Sequence, residues 1–374
     1  MINLFQPNVG ERELAAIREV FVSNWLGNGP RAQEFERAFG NHLGRPPSEL
    51  VAVSSCTEGL FQVVAAMGLG PGDEVIVPSV SFVGGAHAVR SSGARVVPCD
   101  VNPRTMNPTV EDVERAITRA TKALLVLHYG GVPGAVAELA DLAEARSLLL
   151  IEDAACGLGS SVGGRACGTI GHVGVWSFDA AKVLTTGDGG MIWCRSAELA
   201  ERLRSIIRLG VSSSGFARRS GSGRWWEIDP LATGRRATMN DVAAAMGLVQ
   251  IGRLAEFLQR RREVATRYNV ALADLEWLTL PPQHSPEIAD TFYWVQADPG
   301  TRDRLAVHML DNGIYTNFRY WPIHRMKLYR SRWDLPGADR AADSTLLIPV
   351  HHGLSDEQVE RVVESILAFD RHSP

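Results

Sequence analysis

Lys182 closes the run WSFDAAK (176–182) and is followed by Thr185-Thr186-Gly187-Asp188-Gly189-Gly190. The spacing predicts a buried strand over 173–178. A lysine just past such a strand end is poorly solvated, and the glycines after it let the backbone pack against something flat. Low dielectric disfavours the ammonium relative to the amine, and the amine is what attacks a carbonyl carbon to form a Schiff base. An ordinary lysine at a strand end is the competing reading. A second run, LLLIEDAA (148–155), ends an apolar strand on Asp153, 29 residues before Lys182. A buried carboxylate needs a cationic partner. The pyridine nitrogen of pyridoxal 5'-phosphate (PLP) is one: the acid keeps it protonated, and the ring then accepts electrons when a carbanion forms beside it. Capping of a following helix is the alternative for Asp153, and Glu152 is expected to face helix packing or solvent.

The segment SSCTEGL (54–60) follows another predicted strand and opens a helix. Backbone N–H groups at a helix start, joined by the Thr57 hydroxyl, suit a phosphate dianion, although Ser and Thr in such places also serve as plain caps. Ser177 adds a second hydroxyl. Phe82, in VSFV (80–83), lies beyond the strand at 74–77, where an aromatic either covers a flat ring or fills the core. No zinc-like or disulfide-like spacing links Cys56, Cys99, Cys156, Cys167 and Cys194, so no metal is expected and the thiols are read as reduced.

Short apolar runs at 51–54, 74–77, 95–97, 123–128, 148–152 and 173–178 alternate with helical patterns. This predicts an α/β fold with a mostly parallel sheet sandwiched by helices, whose ligands gather beyond the strands' carboxyl ends. At 374 residues the chain exceeds the usual size of one core. The expected organisation is an N-terminal arm (1–30), a large domain (31–250) and a smaller α+β domain (251–374). A Gly/Ser/Arg/Trp-rich loop is expected over 210–236 and a long helix over 239–272, broken near Gly252. C-terminal strands are expected at 291–297, 314–321 and 346–349, with helices at 302–312 and after Ser355, which forms a capping box with Gln358. A net charge of -4 with 21% charged residues gives no field for nucleic acid. The charged N-terminus and the lack of an apolar run of about 18 residues point to a cytoplasmic protein without membrane contact. The absence of G-x-G-x-x-G after the first strand argues against a nicotinamide dehydrogenase.

The chain order cradle, aromatic, acid, lysine resembles that of fold type I PLP enzymes. More narrowly, the chain resembles the DegT/DnrJ/StrS family of sugar aminotransferases. The matching pieces are Gly29-Pro30 with Phe35-Glu36, GDEVIVPSVSFV (72–83), IEDAA (151–155), SFDAAK (177–182), GDGGM (187–191), AAMG (244–247) and RYWPIH (319–324). The resemblance implies that Lys182 carries the cofactor, Asp153 meets its pyridine nitrogen and Phe82 stacks on it. Thr57, Ser177 and the Cys56 amide would hold its phosphate. It also implies ping-pong transfer from an amino acid donor, by family habit glutamate, to a nucleotide sugar, in a homodimer with shared active sites. Two positions depart from the pattern. Cys156 stands where the family usually has Gln or His and receives no role here. Arg236 stands where Asn commonly reaches the partner's phosphate; it either takes that role or, with Arg235, solvates a loop. Arg319, Tyr320 and His324 are the expected substrate contacts, with Arg224, Arg235, Trp225, Trp226 and Trp321 as further candidates that equally suit interface packing. Amination at carbon 4 of a dTDP-4-keto-6-deoxyhexose is the expected reaction. Carbon 3 is its rival, and a PLP-binding regulatory protein without turnover is the reading from another class.

Overall fold

The computed structural model describes residues 1–211, 228, 230–282, 285, 287–330 and 333–370. Arg224, Trp225 and Trp226 lie outside them. Seven strands form the main sheet: β1 (Leu50–Val53), β2 (Glu74–Pro78), β3 (Arg95–Cys99), β4 (Thr121–Leu127), β5 (Leu149–Asp153), β8 (Val173–Ser177) and β9 (Gly190–Cys194). Their spatial order is β1-β9-β8-β5-β4-β2-β3. A small hairpin, β6 (Ser161–Val162) with β7 (Arg165–Ala166), lies between β5 and β8 in sequence. The six expected strands are all present. β9 was not expected; it runs antiparallel to both β1 and β8. Its apolar part is only four residues long behind a glycine turn, too short for periodicity to separate from a loop.

Helices cover both faces, as the continuous apolar strands require. On one face Val51, Val75, Leu125, Ile151, Val175 and Ile192 pack under α3 (Cys56–Ala66), α4 (Val83–Ser91) and α7 (Ala197–Ile206). Their neighbours Leu50, Ala52, Trp176 and Trp193 pack under α2 (Pro30–Leu43), which follows α1 (Glu11–Ser23). Ile76, Leu124 and Leu150 share that second face with α5 (Val110–Ala116) and α6 (Val136–Ala145).

Because strand side chains alternate, Ile151 and Asp153 take one face while Leu150 and Glu152 take the other. Glu152 consequently faces neither solvent nor a helix surface, contrary to expectation. It is wholly buried, and its carboxylate accepts the N–H groups of Gly168 (2.7 Å), Ile170 (2.7 Å) and Gly171 (2.6 Å) while pairing with His128 Nε2 at 2.8 Å. Burial alone would lower the basicity of His128. Cys167 and the Glu152 carboxylate outweigh it and hold the imidazole well above its ordinary range. Glu152 thus pins the turn that feeds β8, and with it the approach to Lys182.

The expected long helix breaks near Gly252 into α8 (Asp241–Gly252) and α9 (Leu254–Leu272). α9 leads into the smaller α+β part, where β10 (Tyr293–Gln296) pairs antiparallel with β11 (Thr345–Ile348). α9, α10 (Pro299–Asp311) and α12 (Asp356–Leu367) enclose a separate apolar core there, including Val264, Leu305, Met309, Val359 and Ile366. The Ser355–Gln358 capping box starts α12. Residues 314–321 do not form the expected strand. They make isolated bridges, Ile314 to Ile2 and Asn317 to Leu347, and then leave toward the main sheet. A further helix, α11 (Pro336–Ser344), was not anticipated, although Pro336 at its start and the buried Ala338, Ala341 and Ala342 are helical signals. Among the described residues no helix is long and apolar enough to cross a membrane, and no group of His, Cys, Asp and Glu side chains could hold a metal ion.

Glu152→Ala would leave three buried N–H donors and the His128 imidazole without their acceptor. The expected cost is about 3–5 kcal/mol, read as a lower denaturation midpoint in urea; a shift of only a few tenths of a kcal/mol would show that the peg is dispensable.

Candidate active site

The carboxyl ends of β1, β2, β4, β5 and β8 point to one edge of the sheet. β9, running the other way, begins there. A cavity of about 380 Å³ opens at that edge. Its walls bring together Cys56, Thr57, Phe82, Asp153, Ser177 and Lys182, with Arg319 and Tyr320 from the smaller part of the chain.

Lys182 is 9% exposed and sits on a turn closed by its own N–H to Asp179 O at 3.0 Å. The turn is anchored by Phe178, whose ring packs 5.2 Å from Phe35 and 5.5 Å from Phe39. Lys182 Nζ donates to Cys156 Sγ at 3.6 Å, and that sulfur lies 4.0 Å from the Tyr320 hydroxyl. Cys156 therefore belongs to the site, where sequence alone gave it no role.

Asp153 is 2% exposed. Its Oδ1 accepts the Ala155 N–H at 3.1 Å and faces the Cys56 thiol at 3.9 Å. Among the described residues no cationic side chain forms an ion pair with it. Burial pushes its carboxyl above the ordinary value, opposed by the Ala155 N–H and by Lys182. A carboxylate so placed fits a cation entering from the cavity.

At the start of α3, Ser55 Oγ accepts the Glu58 N–H at 3.1 Å and is occupied as the cap. The Cys56 and Thr57 amides belong to the first helical turn, where no carbonyl of the helix can reach them, and the dipole favours an anion. Two glycines keep this region open. A Cβ on Gly190 would lie 2.8 Å from Cys56 N, and one on Gly84 would lie 3.0 Å from the Phe82 ring and 3.3 Å from Thr57 Oγ1. Ser177 is nearly buried beside them. Phe82 is 44% exposed on the cavity wall, with its ring 5.7 Å from that of Tyr320. Anion cradle, flat apolar wall, buried acid and lysine together match a phosphorylated pyridine aldehyde.

Residues 319–320 are braced from three sides. The Tyr129 hydroxyl donates to Arg319 O, the Arg319 guanidinium lies over Phe5 at 4.5 Å, and Tyr320 packs against Tyr129 and Phe292. Burial pushes the Tyr320 hydroxyl well up, so it stays a donor.

Two expected residues stand elsewhere. His324, expected as a substrate contact, is not among the residues lining the cavity: its ring nitrogens engage Ser79 Oγ (2.6 Å) and Asp339 Oδ1 (3.1 Å). Arg236 is exposed and outside the cavity lining, bridged in the backbone to Arg208. Its neighbour Arg235 is held by Glu58 at 3.2 Å and by the Phe61 ring at 5.4 Å, so Arg235 braces α3. Sequence reasoning missed Asp179 and Asp188, which line the mouth. Burial raises the Asp188 carboxyl, Gly189 N–H opposes this, and Asp179 adds to it. The GDGG motif contained the signal, but only the antiparallel course of β9 brings it to this edge.

Residues 7–367 match the DegT/DnrJ/EryC1/StrS aminotransferase family. The chain is 50% identical over 375 aligned positions to the dTDP-4-dehydro-2,3,6-trideoxy-D-glucose 4-aminotransferase of Saccharopolyspora spinosa, covering 100% of this chain and 97% of that protein. The crystal structure of the aminotransferase TlmJ from Streptoalloteichus hindustanus superposes with a TM-score of 0.93 at 50% identity, covering 98% of each chain. The sugar aminotransferase CalS13 from Micromonospora echinospora gives 0.88 at 31% identity, covering 98% of this chain and 99% of that one.

The folded protein binds the Asp153 proton more tightly than the unfolded chain does. Its contribution to the stability of the cofactor-free protein therefore falls as pH rises from the unfolded value through the raised folded one. Asp153→Asn carries no charge at any pH. Cofactor-free Asp153→Asn is expected to melt higher than cofactor-free wild type near neutral pH, on the order of a few degrees, with the gap closing in acid, while its affinity for PLP falls. Calorimetry across pH checks the first outcome; a variant that melts lower at neutral pH contradicts the burial argument.

Proposed function

The chain belongs to the DegT/DnrJ/EryC1/StrS aminotransferase family, and we propose that it moves an amino group from glutamate to carbon 4 of a dTDP-4-keto-6-deoxyhexose. It is a PLP-dependent aminotransferase. The observation that carries the choice of carbon 4 is the full-length identity of 50% to a 4-aminotransferase acting on a dTDP-deoxysugar, on a chain whose Lys182, Asp153 and Thr57 meet in one cavity.

When bound, PLP would supply the electron sink that stabilises a carbanion at the amino-bearing carbon. The protein's own residues do the rest. Asp153 would hold the proton on the pyridine nitrogen. The first turn of α3, with Thr57 and Ser177, would fix the phosphate, and Phe82 would cover one ring face. Lys182 Nζ would hold the cofactor through its aldehyde carbon. As a free amine, Nζ would take the proton from the donor's α-carbon and pass it to that aldehyde carbon, and in the second half-reaction it would move a proton from the aldehyde carbon to carbon 4 of the sugar. Arg319 offers a fork of donors to the sugar's diphosphate, and Tyr320 offers its ring and hydroxyl on the same wall.

The same proposal includes a cytoplasmic homodimer. Phe21, Val22, Trp25 and Leu26 are exposed at and just beyond the end of α1, an apolar surface suited to a second copy. The outward position of Arg236 suits contact with the partner's phosphate. The separate apolar cores support a boundary between domains near residue 250.

Incubation with glutamate and either 3-keto or 4-keto dTDP-deoxysugars is expected to yield an amine on carbon 4 only, located by NMR; an amine on carbon 3 overturns the regiochemistry. Lys182→Ala is expected to lose turnover by at least roughly 10²–10⁴-fold and to lack the glutamate-induced bleaching of the visible cofactor band. Sedimentation should find a species of two chains, and a monomer at working concentration would contradict the shared site.

A further inference from the structure

His324 is displaced from the cavity, yet both of its ring nitrogens are engaged by side chains on different elements. Ser79, immediately after β2, is wholly buried, and its hydroxyl meets His324 Nδ1 at 2.6 Å. His324 Nε2 meets Asp339 Oδ1 on α11 at 3.1 Å. A carboxylate only accepts, so Nε2 carries a proton; in the neutral ring Nδ1 accepts the Ser79 O–H. Backbone contacts reinforce the chain: Ile323 N–H donates to Ser79 O at 2.7 Å, and Ser79 N–H donates to Cys99 O at 2.9 Å. The far end is also fixed. Asp100, following β3, accepts the Gly337 and Ala338 N–H groups at the start of α11 at 2.9 and 2.7 Å.

The positions of these residues give the chain its consequence. Ser79 lies three residues before Phe82, and His324 lies four residues after Tyr320. Phe82 and Tyr320 form one wall of the cavity with their rings 5.7 Å apart. One belongs to the main sheet's edge loop and the other to the segment arriving from the smaller part of the chain. The Ser79–His324 bond joins those two segments beside that wall.

We propose that Ser79, His324 and Asp339 form a positioning relay that sets the Phe82–Tyr320 wall and thereby the affinity of the site for PLP. The proposal rests on the reading of this cavity as the cofactor site, and it is independent of which sugar is aminated. His324 and Ser79 act through Phe82 and Tyr320 and touch neither cofactor nor substrate. Residues that act through one shared contact show non-additive effects, and unrelated ones add.

The test measures the PLP dissociation constant by equilibrium dialysis and by the visible band for wild type, His324→Ala, Ser79→Ala, the double variant and Lys182→Ala. Asp356→Asn is the control: Asp356, at the start of α12, pairs with Arg260 at 2.8 Å and Arg267 at 2.7 Å, away from the relay residues and their partners. Each relay variant is expected to weaken PLP binding about tenfold, the double variant no more than the weaker-binding single, and Asp356→Asn less than about twofold even where it lowers the melting temperature equally. Ser79→Ala removes one hydroxyl and keeps the comparison with Asp356→Asn available if His324→Ala fails to fold. Additive losses of about a hundredfold in the double variant, unchanged affinity in Ser79→Ala and His324→Ala, or equal weakening by Asp356→Asn would overturn the relay. Lys182→Ala reads the site separately. If it binds PLP with the wild-type band, the cavity is not the cofactor site and both proposals fall; if its band is lost while the relay variants bind normally, only the relay falls.

Discussion

The site depends on a buried carboxylate with which, among the described residues, no cationic side chain forms an ion pair. Asp153 ends β5, which lies between β4 and β8 inside the sheet, and the alternation of the strand turns it to the face under α3. Its neighbour Glu152 shows what the same fold does with an acid kept for structure. Three backbone N–H groups and an imidazole surround it. Asp153 has one amide N–H and a distant thiol, and burial raises its carboxyl. The contrast between adjacent acids is the electrostatic signature of a place prepared for a positively charged ligand. In the proposed reading the rest of that edge serves the same ligand: a helix start would take its phosphate, a wall its ring and a lysine its aldehyde.

The parallel sheet and the motif residues were legible because they obey local rules. Continuous Val, Ile and Leu runs mark buried parallel strands, and residues just past those runs lie at the ligand edge. Cys56, Thr57, Asp153, Ser177 and Lys182 follow that logic directly. What sequence could not supply depended on strand direction or tertiary pairing. β9 is short, and only its antiparallel course brings Asp188 to the cavity. Glu152 looks identical to a surface acid until the 168–171 turn folds over it. His324 sits in a motif with Arg319 and Tyr320, but its ring is drawn away by Ser79, 245 residues distant in sequence. Residues 314–321 carry β-branched and aromatic residues typical of a strand, yet they are used to carry Arg319 and Tyr320 across to the main sheet.

In the proposed reading the two parts of the chain have distinct tasks. The main sheet would supply the groups that bind and activate the cofactor, and the smaller part brings Arg319 and Tyr320 to the wall that Phe82 begins. That wall is held by long-range contacts, from Tyr129, Phe5 and the Ser79–His324 pair, none of which is a reacting group. Cys156 lies where wall and lysine meet, 3.6 Å from Nζ and 4.0 Å from the Tyr320 hydroxyl.

The claim that Asp153 exists to hold a protonated pyridine is tested most directly by reconstituting the enzyme with cofactor labelled with ¹⁵N in the ring and recording its nitrogen chemical shift. The account predicts a protonated nitrogen in the wild type at neutral pH and an unprotonated one in Asp153→Asn. An unprotonated nitrogen in the wild type, or the same shift in both proteins, would contradict it.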